Sequence, residues 1–588
     1  MGTSDAERSG RPVEVTTPEI IDKIHDMVMD DRRVKVREIA SAVGISNERL
    51  RRMMKHMLWI VTPKWKNIIT VHQQWTAKKG MLRTGRTLDS NLGLHMGIQR
   101  GYARQEYWLE KNLDALHQQI AKFPNTNIAK NVIFFLGDGM SITTITSARI
   151  LDGQRRGGPG ENNYLSWETF PFTGLSKTYC VDKLVADSAC SGTAYWSGVK
   201  ANLGTLGVTA QVKMNDCNAV NRSTSVKTLL DYGQEAGKAT GIVTTTRVTH
   251  ASPAAGYAHI SNRNYESDAD VVDDQQNPYK CGDIAKQLVL SAPGNNLNVI
   301  LGGGTSKFLP ENKSDPFGNA GSRLDNIDLV EEWLNDKRTR FGEGREEVVW
   351  DVQGLENVNY ENTTHLFGIF SPTHMSYNLE ADRNKEPSLA KMTESAIKLL
   401  KKNQNGFILF VEGGKIDLGH HATQAAKALD ETVELSKAVA TAMELTNPLD
   451  TLIMVTSDHS HTMSISGYPG RGSDILKFAG TSDIDGMPYT ILSYANGIKA
   501  GRNSISSNKL GHPDSLYPAL TPLVDETHSG EDVAVYSSGP WSQLLSGVFE
   551  QSLIPTTLMY ASCIGPSLTA CNHYNFRQPK LVHHSSNN

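Results

Sequence analysis

Three short apolar runs in this chain end in the same way. Asn131-Val132-Ile133-Phe134-Phe135-Leu136 leads into Gly137-Asp138-Gly139, and Phe407-Ile408-Leu409-Phe410-Val411 leads into Glu412-Gly413-Gly414. Thr451-Leu452-Ile453-Met454-Val455-Thr456 leads into Ser457-Asp458-His459. Each run has strand length, and between them lie longer amphipathic stretches such as Ser388–Lys401 and Ala422–Glu444. That alternation predicts an α/β sheet covered by helices. Ligands of open α/β sheets sit at the carboxyl ends of the strands. A carboxylate there is costly to bury unless it meets a cation or a donor. One such strand end reads as a capped helix start; three together, with flanking glycines, point to a metal site.

Histidines sharpen the reading. Asp417 and His421 are four apart, so on a helical turn they share one face and can grip one metal. His420 is adjacent and could substitute, although the spacing favours His421. Asp458-His459 offers two more ligands, and His528, in Glu526-Thr527-His528-Ser529-Gly530, is a lone candidate. Mixed imidazole and carboxylate ligands suit zinc, whereas an all-oxygen set suits magnesium.

Composition excludes some classes. The 588 residues are 39% hydrophobic and 21% charged, with a formal charge of −4, the balance of a folded soluble enzyme rather than a disordered chain. Near-neutral charge argues against coating nucleic acid over the whole surface. No apolar stretch approaches the ~18 residues of a spanning helix. The start, Met1-Gly2-Thr3-Ser4-Asp5-Ala6-Glu7-Arg8, has no apolar signal core, and the end, His583 to Asn588, no lipid-anchor tail. Asn-x-Ser/Thr triplets at Asn221, Asn312 and Asn362 are candidate glycosylation acceptors.

Residues 1–60 read as a separate helical module. Thr17-Pro18-Glu19 starts a helix; a second spans about 36–43 and stops at Gly44; a third follows Ser46 and exposes Arg49, Arg51, Arg52 and Lys55. This is helix-turn-helix logic, with a plain bundle bearing a basic face as the alternative. Arg8-Ser9-Gly10-Arg11-Pro12-Val13 and Val34-Lys35-Val36-Arg37-Glu38-Ile39-Ala40 resemble the DNA-binding segment of mariner-type transposases. Residues 61–103 read as a linker. From Arg104 a helix is expected, with Tyr107, Trp108, Leu113, Leu116 and Ile120 spaced for packing.

Downstream, an ordered series of motifs resembles the alkaline phosphatase family, the animal members most of all. It comprises Gly137-Asp138-Gly139-Met140, Asp187-Ser188-Ala189, Thr244 to Pro253, Asn262-Arg263-Asn264 and Gly302-Gly303-Gly304. Val411 to Asp417 and Ser457 to His461 complete it. The resemblance implies a three-layer α/β sandwich with a mostly parallel central sheet over a catalytic domain of 104–575, followed by a polar tail at 576–588. It makes Ser188 a nucleophile that is transiently phosphorylated. It gives one zinc to Asp417, His421 and His528, and a second to Asp138, Asp458, His459 and Ser188. Magnesium goes to Asp138, Ser252 and Glu412, and Arg263 clamps the phosphate, with His250 beside it. A further calcium site would use Glu332, the Phe370 backbone and Glu386, with Ser371 at its other acidic position. Cys190 is a rival nucleophile, but thiolate chemistry would not call for the metal-ligand set.

The sequence departs from the family pattern at Ser141, at Ser191-Gly192 and at Leu418, which is His in many animal members. Disulfides Cys217–Cys281 and Cys563–Cys571 are implied, leaving Cys180 and Cys190 bridged or free. Paired cysteines and the resemblance imply an extracellular or cell-surface enzyme and a homodimer. The front segment is then expected to be a foreign sequence joined between residues 61 and 104. The alternative is a transposase-derived DNA-binding fusion with an inert phosphatase portion.

Overall fold

The computed structural model describes residues 105–498, 501–502, 510–566 and 568–571. The helix-turn-helix module at 1–60, the linker at 61–103 and the tail at 576–588 lie outside the described residues. The chain divides into two units, Met1–Asp114 and Ala115–Asn588. Of the first, the described part is the opening of helix α1, Gln105–Ile120. The helix expected from Arg104 is present, yet none of its residues is buried; Trp108, Leu113, Leu116 and Ile120 are 44–64% exposed. Helical spacing sets which side chains share a face, not what covers that face.

The second unit is built on a ten-stranded sheet. Its strands are β1 Asn131–Gly137, β2 Phe172–Lys177, β3 Ala239–Arg247, β4 Val299–Gly303, β5 Glu346–Val349, β6 His365–Ile369, β7 Phe407–Gly413 and β8 Thr451–Thr456. After the two-residue strands β9 (Ser460–His461) and β10 (His528–Ser529) come β11 Val533–Ser538 and β12 Gly547–Glu550. The sheet order is β12-β2-β11-β8-β1-β7-β3-β4-β6-β5. Within it β11 alone runs antiparallel, to both β2 and β8. The three strands singled out above are its centre, with β1 between β7 and β8.

Alternate residues of these strands feed two cores. Ile133, Phe135, Leu409, Val411, Ile453 and Val455 point to one; Val132, Phe134, Ile408, Phe410, Leu452 and Met454 point to the other. Strands buried on both faces carry continuous apolar runs for this reason. The first core is closed by helices α2 (Ile142–Arg155), α6 (Leu389–Leu400) and α8 (Ala425–Leu445). The second is closed by α3 (Ser188–Ser197), α4 (Ala251–Ala254), α5 (Leu329–Phe341) and α9 (Leu553–Ser562). The short α7, Lys415–His421, lies between β7 and α8. The result is the expected three-layer sandwich with a mostly parallel sheet.

Register places the chemistry. Leu136 pairs with Glu412 and with Thr456, and Thr244 pairs with Glu412. The residues that follow therefore emerge together at one edge of the sheet. Gly139 makes the turn that lets them converge. Its φ is +68°, and an added Cβ would lie 2.3 Å from the His461 ring. Its N–H donates to Asp458 Oδ1 at 2.9 Å.

Candidate active site

Ser188 is the first residue of α3, with Asp187 as the cap accepting from the Cys190 N–H. The helix is anchored from below by an aromatic cluster: Tyr195 and Phe410 stand edge-on to Phe134 with centroids 5.2 and 5.3 Å away, and Trp196 lies 5.0 Å from Phe410. Ser188 Oγ is 3.2 Å from His459 Nε2 and 3.5 Å from Asp138 Oδ1. His459 Nε2 is also 3.1 Å from Asp458 Oδ2 and 3.6 Å from Asp138 Oδ1. Burial first, and His528 next, hold the His459 ring well below the usual imidazole range, so it is neutral. A histidine therefore stands beside Ser188, although none is near it in sequence.

Asp417 and His421 share one face of α7, as their spacing predicted. His528 joins them because β10 pairs with β9, setting His528 opposite His461. His528 Nε2 is 3.3 Å from Asp417 Oδ1, and His421 Nε2 is 3.4 Å from Asp417 Oδ2. The two Nε2 atoms face each other at 3.1 Å. On each ring the other nitrogen meets a backbone carbonyl: His421 Nδ1–H donates to Glu526 at 2.5 Å, and His528 Nδ1–H to Ala186 at 2.8 Å. A carbonyl only accepts, so Nδ1 carries a proton on each ring, and each Nε2 faces the other and Asp417. Burial works to raise the Asp417 pKa, but His421 and His461 outweigh it and hold the carboxylate well below its usual range. His420 takes no part; it bonds Thr144 Oγ1 at 2.9 Å and Tyr494 Oη at 3.0 Å.

The third group is Asp138, Glu412 and His250, within ligand reach of one another. Ser252 Oγ, on α4, donates to Asp138 Oδ2 at 3.3 Å. Thr244 and Thr246 hydroxyls donate to Glu412 Oε2. Burial pushes the Glu412 carboxyl up to about 7. Burial, with Asp458 and Asp417 behind it, also raises Asp138 far above the usual carboxylate range. Arg263 spans the approach, donating from Nη1 to Asp187 at 3.1 Å and from Nη2 to His250 Nε2 at 3.1 Å. Beside these groups opens a cleft of about 790 Å³, lined in part by Asp187, Leu203, Tyr377, Leu418, His421 and His528.

Sequence spacing missed two members. His461 Nε2 lies 2.6 Å from Asp417 Oδ1, and its Nδ1 2.5 Å from Glu526 Oε2. Burial favours the neutral ring, but Glu526 and Asp417 push its pKa up to about 10, so His461 is an imidazolium between two carboxylates. Both residues were signalled by a period of two: His461 follows His459 by two, and Glu526 precedes His528 by two. The predicted calcium residues come from three separate stretches of chain. Glu332 is exposed on α5, Glu386 accepts from Ser376 N–H and Oγ–H at 2.8 and 2.9 Å, and Ser371 Oγ donates to the His374 carbonyl at 2.8 Å. Among the described residues, no cluster of three metal-ligating side chains includes Glu332 or Glu386.

The family description for alkaline phosphatase matches residues 129–564. The chain belongs to the alkaline phosphatase family. It is therefore an enzyme of the phosphoric monoester hydrolase class. It is 44% identical over 451 residues to a membrane-bound alkaline phosphatase of Bombyx mori, covering 75% of this chain and 82% of the relative. It is 43% identical over 480 residues to the tissue-nonspecific isozyme of Gallus gallus, covering 79% and 91%. The solved alkaline phosphatase of Thermus thermophilus shares the fold, with a TM-score of 0.54 at 22% identity over 77% of this chain and 95% of that one.

The departures from the alkaline phosphatase pattern are accommodated locally. Ser141 caps α2, its Oγ accepting from the Thr144 N–H at 3.0 Å, so the turn beside Asp138 carries a helix cap. Gly192 lies where α3 meets α4, and a Cβ there would stand 2.8 Å from Ala255 Cβ. Leu418 faces the cleft. All six cysteines are bridged, as Cys180–Cys190, Cys217–Cys281 and Cys563–Cys571. Cys190 is thereby removed as a nucleophile.

Proposed function

We propose that this chain hydrolyses phosphate monoesters through a phosphoserine on Ser188, with two zinc ions and one magnesium. The observation that carries the reading is the pair of His421 and His528 Nε2 atoms, facing each other at 3.1 Å across from Asp417. Two imidazole nitrogens so close need a cation or a shared proton between them, and a metal cation would also meet the Asp417 carboxylate. The neighbouring groups fit as well. Glu412 Oε1 and Asp458 Oδ2 are buried with no hydrogen-bond partner among the described residues. Imidazoles with carboxylate suit zinc at Asp417, His421 and His528 and at Asp138, Asp458, His459 and Ser188. Oxygen donors from Asp138, Ser252 and Glu412 suit magnesium.

The chemistry such cations supply is Lewis acidity: stabilisation of a serine alkoxide and of the leaving oxygen, and a lowered pKa for an attacking water. The protein's own part is positioning. Ser188, at the start of α3, meets the phosphorus at the positive end of the helix dipole, which favours the anion. Arg263 keeps its guanidinium at the approach through Asp187 and His250 and clamps the phosphoryl oxygens as charge spreads over them. His459, neutral and buried, keeps its Nε2 toward Ser188 Oγ. Water then releases phosphate and restores Ser188.

The residues engage the phosphate far more than the leaving alcohol, which supports broad selectivity. Three disulfides support an oxidising compartment; a cell-surface location, a homodimer, a calcium site at Glu332, Phe370 and Glu386, and DNA binding by residues 1–60 stand as further proposals. The test is phosphate release from a chromogenic monoester, with and without chelator, in wild type and Ser188→Ala. Activity that survives either treatment refutes the mechanism. Faster turnover of a diester or sulfate ester than of the monoester would replace the substrate class.

A further inference from the structure

The loop joining β2 to α3 presents consecutive groups to the site. The Ala186 carbonyl accepts from His528 Nδ1–H at 2.8 Å and so turns His528 Nε2 toward Asp417. The Asp187 carboxylate accepts from Arg263 at 3.1 Å and fixes one side of the phosphate clamp. Ser188 is the nucleophile. A shift of this loop would disturb a metal ligand, the clamp and the nucleophile together.

Hydrogen bonds tie the loop to Lys200, Ala201, Leu203 and Gly204, yet its apolar support is thin. Val181 and Leu184 at its tip are 54% and 87% exposed. The buried side chains beneath it, Cys180, Ala186, Cys190 and Ala201, with Leu203 at the margin, form a small cluster apart from the two main cores. So few apolar side chains bury little area, and hydrophobic stabilisation scales with area. The strongest tie is covalent. Cys180 and Cys190 are bridged across ten residues, joining the entry of the loop to the first turn of α3. Both residues are buried, at 3% and 1% exposure. Asp187 Oδ1 in turn accepts from the Cys190 N–H at 3.1 Å and the Gly204 N–H at 3.2 Å. The bridge thus ends on the residue whose backbone orients Asp187. Neither of the other two disulfides includes a residue of α3.

We propose that the Cys180–Cys190 disulfide is a positioning element of the active site, holding the loop so that Ala186 orients His528 and Asp187 orients Arg263. The inference rests on the phosphatase reading above for its link to turnover, but its geometry can be tested without turnover. Opening the bridge needs a dithiol such as dithiothreitol. One thiolate attacks a cystine sulfur, the second closes the reagent's ring, and two cysteine thiols are released as the dithiol loses two electrons.

The experiment compares three metal-loaded full-length proteins: wild type, Cys180→Ala/Cys190→Ala and, as control, Cys563→Ala/Cys571→Ala. Alanines keep the loop cluster apolar and leave no lone thiol. The first double variant is expected to lose metal to a chelator about tenfold faster, read as metal released to a dye. Its inhibition constant for inorganic phosphate should rise about tenfold, with kcat falling less than KM rises. Hydrogen exchange should quicken at residues 186–190, and the control should match wild type in all three. If the loop variant retains metal, binds phosphate and exchanges as wild type does, or if the control changes equally, the proposal is wrong. Should the loop variant fail to fold, wild type is treated with dithiothreitol until alkylation shows the Cys180–Cys190 bridge open, then freed of reagent and reloaded with metal before the chelator assay. Faster metal loss on opening supports the positioning role, and unchanged metal retention overturns it. A wild type that retains metal yet hydrolyses no monoester would sink the proposed function while the exchange and chelator readings still decide the bridge.

Discussion

Gly139 offers a test in which backbone and packing costs separate. Its φ of +68° is a conformation L-residues adopt at a cost of roughly 1–2 kcal/mol. A Cβ added there would also lie 2.3 Å from His461 Cδ2 and 2.5 Å from its Nε2. The ring cannot swing away cheaply, because Asp417 holds one nitrogen at 2.6 Å and Glu526 the other at 2.5 Å. Forcing atoms into so tight a space costs a further 1–3 kcal/mol or so. Gly139→Ala is therefore expected to destabilise the fold by roughly 2–5 kcal/mol. Gly157 is the control: its φ is +81°, but nothing lies within 4 Å of an added Cβ. Gly157→Ala should lose only the backbone share, roughly 1–2 kcal/mol. Urea midpoints of the metal-loaded proteins give the two values, and chelator half-times show whether displacing His461 loosens Asp417. Equal losses for the two variants, or a Gly139→Ala protein within 1 kcal/mol or so of wild type, would refute the packing argument.

Ser188→Ala should lower kcat by at least ~10³-fold while leaving bound metal largely in place, checked by steady-state kinetics and metal analysis. Arg263→Lys keeps the charge but lacks the planar fork whose two separate nitrogens reach Asp187 and His250. Its inhibition constant for phosphate is expected to rise about tenfold, measured by competition against a chromogenic monoester. Away from the metal groups, burial pushes the Glu431 carboxyl on α8 up to about 8. A carboxyl with a raised pKa binds its proton more tightly folded than unfolded, so stability falls as pH rises from the unfolded carboxyl pKa toward 8. The loss reaches at most a few kcal/mol. Glu431→Gln should flatten that slope in denaturation midpoints between pH 5 and 8, and an unchanged slope would show that the carboxylate is charged and compensated.

Much of this protein is written locally. The runs at 131–136, 407–411 and 451–456 became adjacent central strands because continuous apolar character suits a strand covered on both faces. Asp417 and His421 fell on one helical face because the α-helical repeat is intrinsic to the backbone. The ordered motifs extended this to Ser188, Asp138, Glu412, Asp458, His459 and His528, which the fold gathers into the neighbouring groups described above. The apolar stripe of α1 marks the limit of such reading, since its helix formed while its face stayed exposed.

The sequence by itself determined which residues are strand, helix face and ligand type, because backbone periodicity and side-chain chemistry are local properties. Only the tertiary structure decided the rest. It set the Nε2 atoms of His421 and His528 3.1 Å apart from positions 107 residues distant in the chain. It enclosed His461 between Asp417 and Glu526. It also bridged Cys180 to Cys190 beneath the loop that leads to Ser188. Those facts depend on sheet register and on the burial that removes water from charged groups, and neither is a property of any stretch of chain taken alone.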